Sequence, residues 1–164
     1  VGDFVPNKKL RKTLRQNAAV KCRFLPNIAF DDHYALFRRY LDARHQSSEM
    51  REMFFEEYRA MIEDSPVAAE LMELSDETGV VGVMLTDETD DGLSAVYSFF
   101  NPDLRRRSLG TLMILRLIEA AKKRNKPYVY LGYMIRGLSN MAYKEKFGPL
   151  EYCDRGKWTD SFPD

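Results

Sequence analysis

The stretch that most constrains the fold is Leu93–Ile135, in which a long amphipathic helix separates two apolar runs. The runs Leu93–Phe100 and Tyr128–Ile135 have the composition of strands, and the second is apolar enough to be buried on both faces. A helix between two strands favours a parallel pair. The N-terminus of that helix then lies between the strands, beside the arginine-rich loop Arg105–Gly110. Its free N–H groups and dipole make an anion site there.

The rest of the chain alternates helix and strand signals. Apolar stripes at helical spacing predict helices from Asp31 or Asp32 to Arg44 and over Glu49–Ile62. Ser139 or Asn140 caps a short helix that ends at Phe147. Further strands are predicted at Val20–Pro26, Ala68–Leu74, Val80–Thr86 and Leu150–Asp154. Short acidic turns between three of the strands imply an antiparallel meander. We therefore expect an α/β (α+β) domain with a mixed central sheet flanked by helices, an order that resembles the GNAT acyltransferase fold.

The 164 residues have a formal net charge of zero, which hides a strong segregation along the chain. Residues 1–30 contain seven basic residues and one acid, residues 49–95 contain fourteen acids and two arginines, and residues 96–164 contain thirteen basic residues and seven acids. Basic regions of this kind often contact a polyanion. Phe4–Asn17 has two open interpretations, a solvated arm or a segment that contacts nucleic-acid phosphates.

The two cysteines, Cys22 and Cys153, are far apart and form no CxxC motif. This usage favours a reducing compartment and argues against structural zinc. No apolar run reaches the roughly 20 residues that a transmembrane helix needs. We therefore predict no metal site and a cytoplasmic location.

The loop also partly matches the phosphate-binding pattern of acetyl-CoA users, R/Q-x-x-G-x-G/A. Arg107 and Gly110 fit that pattern, but Leu112 stands where a small residue is expected. A large side chain there is expected to hinder the close backbone approach of a pyrophosphate.

Several longer motifs resemble the C-terminal domain of the aminoacyl-tRNA–protein transferases of the N-end-rule pathway. These are DGLSAVYSFFNPDLRRRSLGTLMIL at 91–115, PYVYLGYMI at 127–135, MAYKEKFGPLEY at 141–152, and RYLDARH at 39–45 followed by Met50. The sequence departs from the family pattern at Met134, where Trp is common, and at Asn140, where Lys is usual. The family's N-terminal cysteine-rich domain has no counterpart here, so the resemblance implies that residues 1–30 are the end of that domain plus a first strand. Residues 31–164 are then a GNAT-like catalytic domain.

The resemblance implies transfer of an amino acid from aminoacyl-tRNA to the α-amino group of a protein with N-terminal Asp or Glu. The length and the loop region look closer to the bacterial aspartate/glutamate leucyltransferases, with leucine as donor, than to the arginyltransferases. The partners would be aminoacyl-tRNA and the protein N-terminus, with no membrane and no cofactor beyond the tRNA co-substrate. Two alternatives stay open: a CoA-dependent N-acyltransferase and a non-catalytic tRNA-binding module.

The chemistry of ester aminolysis assigns candidate roles without a covalent nucleophile. The residues predicted to hold the tRNA phosphates or terminal adenosine are Arg105, Arg106, Arg107, Ser108, Leu109 and Gly110. Tyr97 and Tyr133 are predicted at facing strand ends, where a phenol could orient the amine or donate to the leaving oxygen. Lys144 and His45 are predicted to bind the acidic acceptor. Each of these has a structural alternative, such as a buried strand tyrosine or an exposed lysine.

Overall fold

The computed structural model describes residues 1–44, 49–135, 137 and 141–162, without the side chains of Glu49 and Arg51. The α-helices of this part are α1 (Lys8–Gln16), α2 (Asp31–Arg44), α3 (Phe55–Glu63) and α4 (Leu109–Lys123). The strands are β1 (Lys21–Pro26), β2 (Ala69–Asp76), β3 (Gly79–Glu88), β4 (Gly92–Phe100), β5 (Tyr128–Tyr130), β6 (Tyr152–Asp154) and β7 (Lys157–Thr159). Short 3₁₀ helices cover Glu49–Glu52, Pro102–Arg107 and Ala142–Phe147.

The central sheet has the strand order β1-β2-β3-β4-β5. The first four strands are antiparallel neighbours, whereas β5 pairs with β4 in parallel. The predicted meander and the predicted parallel pair around α4 are both confirmed. The turns of the meander could be located from the sequence because Asp, Glu and Gly interrupt its apolar runs at short spacing.

Two hydrophobic cores cover the two faces of this sheet. The core with Leu112 of α4 and Leu10 of α1 receives Met72 and Met84 from the sheet. The other core, under α2 and α3, receives Leu71 and Val83, neighbours of these residues along the same strands. Adjacent residues enter opposite cores because successive strand side chains point to opposite faces. The amphipathic pattern predicted for α4 is observed, since its apolar positions are buried, among them Leu109, Leu112, Met113, Leu115, Leu117, Ile118 and Ala121.

The basic N-terminal segment contains a packed helix. The side chain of Asn7 caps α1 by accepting from the backbone N–H groups of Lys9 and Leu10 at 2.9 and 3.1 Å. Leu10 and Thr13 are buried, and α1 packs against α4. The interpretation of this segment as a solvated arm is therefore wrong for residues 8–16. That residues 1–30 come from a separate domain stays a prediction.

A predicted strand and a predicted helix differ clearly from the structure. The run from Tyr128 forms a strand only to Tyr130 and is partly exposed, because Gly132 adopts a positive φ of 73° and the chain turns away. The helix predicted over Glu49–Ile62 is split, and α3 begins after Phe54, whose N–H donates to the Glu57 carboxylate at 2.8 Å. Phe54 is exposed rather than part of the core.

The C-terminal segment forms a small second sheet. The final predicted strand shortens to β6, and Trp158 belongs to its antiparallel partner β7. The short helix around Lys144 is observed as a 3₁₀ helix. Its predicted cap, Ser139 or Asn140, lies outside the described residues.

Candidate active site

The pairing of β4 and β5 ends early, and the opening between the two strands beyond it is here called the cleft. Their pairing covers only Gly92–Ser94 with Tyr128–Tyr130, so the later half of β4 pairs with β3 alone in the described part of the chain. Ala95 pairs with Thr86 and Tyr97 with Leu85, which leaves Val96 as an extra residue. This bulge re-aims the strand next to the opening. The free edge of β4 therefore borders one side of the cleft.

The loop residues predicted to bind the donor lie at the end of this cleft, directly before α4. The 3₁₀ helix ends at Arg107, and Ser108 adopts a left-handed conformation with φ 54° and ψ 47°. The Ser108 hydroxyl is exposed and does not cap α4. Among the described residues, none accepts from the N–H groups of Leu109 and Gly110. Ser108 and these N–H groups are thus placed to meet an anion.

Gly110 sets how closely α4 approaches β4. A Cβ at this position would stand 3.2 Å from Cε1 of Phe100. The Phe100 ring also lies 5.0 Å from the Tyr40 ring and 5.7 Å from the Arg44 guanidinium. A side chain at position 110 would therefore press against the Phe100 ring, which gives glycine a packing role here apart from any ligand. Leu112 is fully buried in the core beneath α4, so its side chain does not obstruct the start of the helix as the sequence comparison suggested.

The three loop arginines have different surroundings. Arg105 and Arg106 are exposed, whereas Arg107 is largely enclosed. Arg107 donates from Nη1 to Oδ2 of Asp76 at 2.6 Å and from Nε to Oδ1 of Asn17 at 3.0 Å. The guanidinium of Arg107 thus contacts protein partners, while the other two are available to a ligand.

Tyr97 lies in the core under α2 and α3, with its ring 6.1 Å from that of Phe37. Burial, and secondarily the Tyr40 phenol, raises the pKa of Tyr97 to about 12. Burial also raises the pKa of Tyr40 and that of Tyr143. These phenols keep their protons at neutral pH and act there as hydrogen-bond donors rather than bases.

Tyr133 and Lys144 are joined by a hydrogen bond. Tyr133 lies beyond the end of β5, not on the strand as predicted, and its side chain is 90% exposed. Its carbonyl oxygen accepts from Nζ of Lys144. Burial lowers the pKa of Lys144, which is half-buried rather than an exposed helical lysine. The assigned roles of Tyr133 and Lys144 stay predictions, as does that of His45, which lies outside the described residues.

Sequence reasoning missed three residues of this region. Two of them, Asn17 and Asp76, contact Arg107 across 90 and 31 positions of sequence. The third is Tyr40, which the sequence pattern places only in the apolar stripe of α2. No spacing signal could have identified the first two, because their contact depends on the docking of α1 and β2. The described residues contain no group of three or more metal-ligating side chains. None of the helices described is long and apolar enough to cross a membrane.

Comparison with solved structures confirms the GNAT-like acyltransferase fold. The structure of L-PGS from Bacillus licheniformis matches with a TM-score of 0.63 and 16% identity, over 89% of this chain and 53% of that one. A possible acetyltransferase from Clostridium difficile 630 matches with a TM-score of 0.61 and 12% identity, over 89% and 99%. At these identities the likeness shows the fold alone.

Comparison of sequences is more specific. The aspartate/glutamate leucyltransferase of Dinoroseobacter shibae is 43% identical over 96% of this chain and 59% of its own length. That of Gluconacetobacter diazotrophicus is 45% identical over 97% of this chain and 62% of its own length. The chain thus spans about three fifths of the length of the curated relatives it matches. The family model described as "Arginine-tRNA-protein transferase, C terminus" matches residues 32–154, and the chain therefore belongs to that family.

Proposed function

We propose that this chain carries out aminoacyl transfer from a charged tRNA to the α-amino group of a protein whose N-terminal residue is Asp or Glu. The observation that carries the proposal is the family match over residues 32–154, together with relatives named aspartate/glutamate leucyltransferase. Those names favour leucine over arginine as the transferred residue. The product has a new N-terminal leucine, the kind of terminus expected to mark a protein for N-end-rule degradation. Such a reaction belongs in the cytoplasm, where charged tRNA is found.

The reaction is aminolysis of an ester. The neutral α-amine of the acceptor attacks the aminoacyl carbonyl carbon, a C–N bond forms, and the C–O bond to the terminal ribose breaks. The amine loses one proton and the ribose oxygen gains one. Because the ester is already activated, positioning and electrostatic stabilisation can supply most of the acceleration. No cofactor is needed beyond the tRNA itself.

Arg105, Arg106 and Ser108 are proposed to hold the phosphates at the acceptor end of the tRNA. Support comes from their exposure and from the open N–H groups of Leu109 and Gly110 beside them. Guanidinium groups bind phosphate oxygens in pairs, and a helix start favours negative charge. The terminal ester is then directed into the cleft beside β4.

Tyr97 is proposed to donate a hydrogen bond to the oxygen that gains charge or leaves. Its raised pKa, about 12, keeps it protonated for this role. Lys144 is proposed to bind the side-chain carboxylate of the acceptor. Its ammonium is half-buried next to the Tyr133 carbonyl, where a carboxylate would meet weakened competition from water.

The two alternatives are less well supported. The structural neighbours titled acetyltransferases share at most 16% identity with the chain and so carry no argument for CoA. A purely RNA-binding role is disfavoured by the relatives, which are named as leucyltransferases. The buried position of Leu112 does remove one objection to a pyrophosphate ligand, so CoA is included in the test.

The test is a transfer assay with the complete gene product. Labelled leucyl-tRNA and arginyl-tRNA are each offered with a peptide that begins with Asp, and with the same peptide after N-terminal acetylation. We expect leucine incorporation into the free peptide only. Absence of incorporation from both donors overturns the proposal, and acyl transfer from acetyl-CoA in its place establishes the alternative.

A further inference from the structure

We propose that Asn17, Asp76 and Arg107 form a clamp that positions the donor loop, Arg105–Gly110, for the aminoacyl-tRNA without touching it. This inference rests on the proposed function and deepens it. It also changes the role predicted for Arg107 from a phosphate ligand to a positioning residue.

Hydrogen bonds hold both the guanidinium and the backbone carbonyl of Arg107. Its guanidinium donates to Asp76 at 2.6 Å and to Asn17 at 3.0 Å, and its side chain is only 26% exposed. Its carbonyl oxygen accepts from Nδ2 of Asn17 at 2.8 Å. The same Nδ2 donates to the Thr13 carbonyl at 2.9 Å, and Asn17 is 1% exposed. A buried amide with these partners has one orientation, so it fixes Arg107 in one place.

The clamp acts on the backbone at the start of α4. The Arg107 carbonyl and the Ser108 N–H belong to the same peptide plane, so the bond from Asn17 fixes that plane. Ser108 follows in the left-handed region, which is unfavourable for a residue other than glycine. The orientation of this peptide decides where the Ser108 hydroxyl and the first free N–H groups of α4 point. Asn17 therefore acts on the donor loop through Arg107.

Asp76 is itself held in place by the turn that follows β2. Its Oδ1 accepts from the backbone N–H of Thr78 at 2.9 Å and from the Thr78 hydroxyl at 2.6 Å, which leaves Oδ2 for Arg107. The Thr78 hydroxyl and then Arg107 lower the pKa of Asp76 to about 2. The carboxylate is charged at every pH at which transfer would be measured. The clamp thus ties α1, the end of β2 and the donor loop together.

The chain offers a matched control at the other end of α4. Arg124 has a similarly enclosed side chain, 28% exposed, and pairs with the strand carboxylates of Glu70 and Glu88. Arg124→Ala therefore removes comparable ion pairs and leaves the contacts of the donor loop unchanged. Asp76→Asn keeps the size and shape of the side chain, so it serves as the mild clamp variant if Arg107→Ala folds poorly.

The experiment compares Asn17→Ala, Asp76→Asn, Arg107→Ala and Arg124→Ala in the complete gene product, with kcat and KM measured for each substrate. We expect the clamp variants to lose about tenfold to a hundredfold in kcat/KM for aminoacyl-tRNA, the cost of a misplaced binding group. KM for the acceptor peptide should stay within about twofold, since the clamp does not face that substrate. Arg124→Ala should lower thermal stability and leave both KM values unchanged.

Two further readouts separate positioning from direct contact. The double variant Asn17→Ala/Arg107→Ala should lose no more than Arg107→Ala alone, because the two residues act through one another. Arg107→Ala should also show the same salt dependence of tRNA binding as Asn17→Ala, which removes no charge, whereas loss of a direct phosphate contact would lower the slope in Arg107→Ala alone by about 0.7 to 0.9.

Clamp variants that behave like Arg124→Ala, or a salt slope that falls in Arg107→Ala but not in Asn17→Ala, overturn the clamp. If the wild-type protein is inactive with both donors, the proposed function and the clamp are both wrong. If the wild type is active and the clamp variants are unaffected, only the clamp is wrong.

Discussion

Two half-buried phenols lie on one face of the sheet, and each keeps its proton at neutral pH. Tyr97 of β4 and Tyr40 of α2 pack against the same core, the one under α2 and α3. Burial raises the pKa of both. A protonated phenol in a poorly hydrated site is a strong hydrogen-bond donor for a developing oxyanion. Tyr97 is therefore expected to affect the chemical step rather than substrate binding.

Tyr97→Phe removes only the hydroxyl and should lower kcat by about tenfold to a hundredfold, the range of a lost donor in the transition state. KM values should change little, which steady-state kinetics measures directly. Tyr58→Phe is the matched control, since Tyr58 packs in the same core and its hydroxyl has no partner among the described residues. It should leave kcat unchanged and the free energy of unfolding equal or higher by up to about 1 kcal/mol. Equal kcat values for the two variants would remove Tyr97 from the mechanism.

At the scale of secondary-structure elements, the short parallel pairing of β4 with β5 determines where the cleft begins. It begins at Gly92, where a Cβ would stand 2.6 Å from Cε2 of Tyr130 and 3.0 Å from the Tyr128 carbonyl oxygen. The Tyr130 hydroxyl donates to Asp91 at 2.9 Å and holds its ring against the glycine. Only a residue without a side chain permits this approach.

Gly92→Ala should therefore lower the free energy of unfolding by about 1–3 kcal/mol, the usual cost of overpacking. Urea denaturation measures the change. Gly2→Ala is the control, because a Cβ at Gly2 meets nothing within 4 Å. If Gly92→Ala matches the wild type in stability, the β4–β5 contact does not depend on close packing.

The elements that the sequence predicts best are those whose pattern is local. The strands of the meander and the inward face of α4 follow from alternation, turn residues and helical spacing. The strand from Tyr128 was predicted too long because a run of apolar residues does not reveal where its neighbour diverges. The loop with Arg107 was located by composition and glycine spacing. Its partners Asn17 and Asp76 were not, because only tertiary packing brings them to it.

At the scale of the whole molecule, part of the charge segregation is neutralised internally. Basic residues of the later chain pair with the acidic middle, as Arg107 does with Asp76 and Lys126 with Glu88. The cations of α1 remain on its exposed face: Lys8, Lys9, Arg11, Lys12 and Arg15. Asn17 brings the C-terminal end of α1 to the donor loop, whereas the start of α1 follows Phe4, whose carbonyl accepts from Lys122 at the other end of α4. The cations of α1 therefore extend along α4, away from the loop that carries Arg105 and Arg106. Together they suit a phosphate backbone longer than the terminal nucleotide.

The triple variant Lys8→Gln/Lys9→Gln/Lys12→Gln should weaken tRNA binding and reduce its dependence on salt. Each lost phosphate contact lowers the slope of log K against log salt by about 0.7 to 0.9. Arg59→Gln, on α3 at the opposite face of the sheet from α1, should leave the slope unchanged. Binding titrations at several salt concentrations measure both. An unchanged slope in the triple variant would assign α1 a purely structural role.

The contact between Asn17 and Arg107 also affects the order in which the protein folds during its synthesis. The two residues are 90 positions apart, and at about 5–20 residues per second the ribosome adds Arg107 several seconds after Asn17. Until then α1 exists without the loop that it orients. The donor loop is therefore expected to become ordered only after Arg107 has been synthesised and α1 has docked against it.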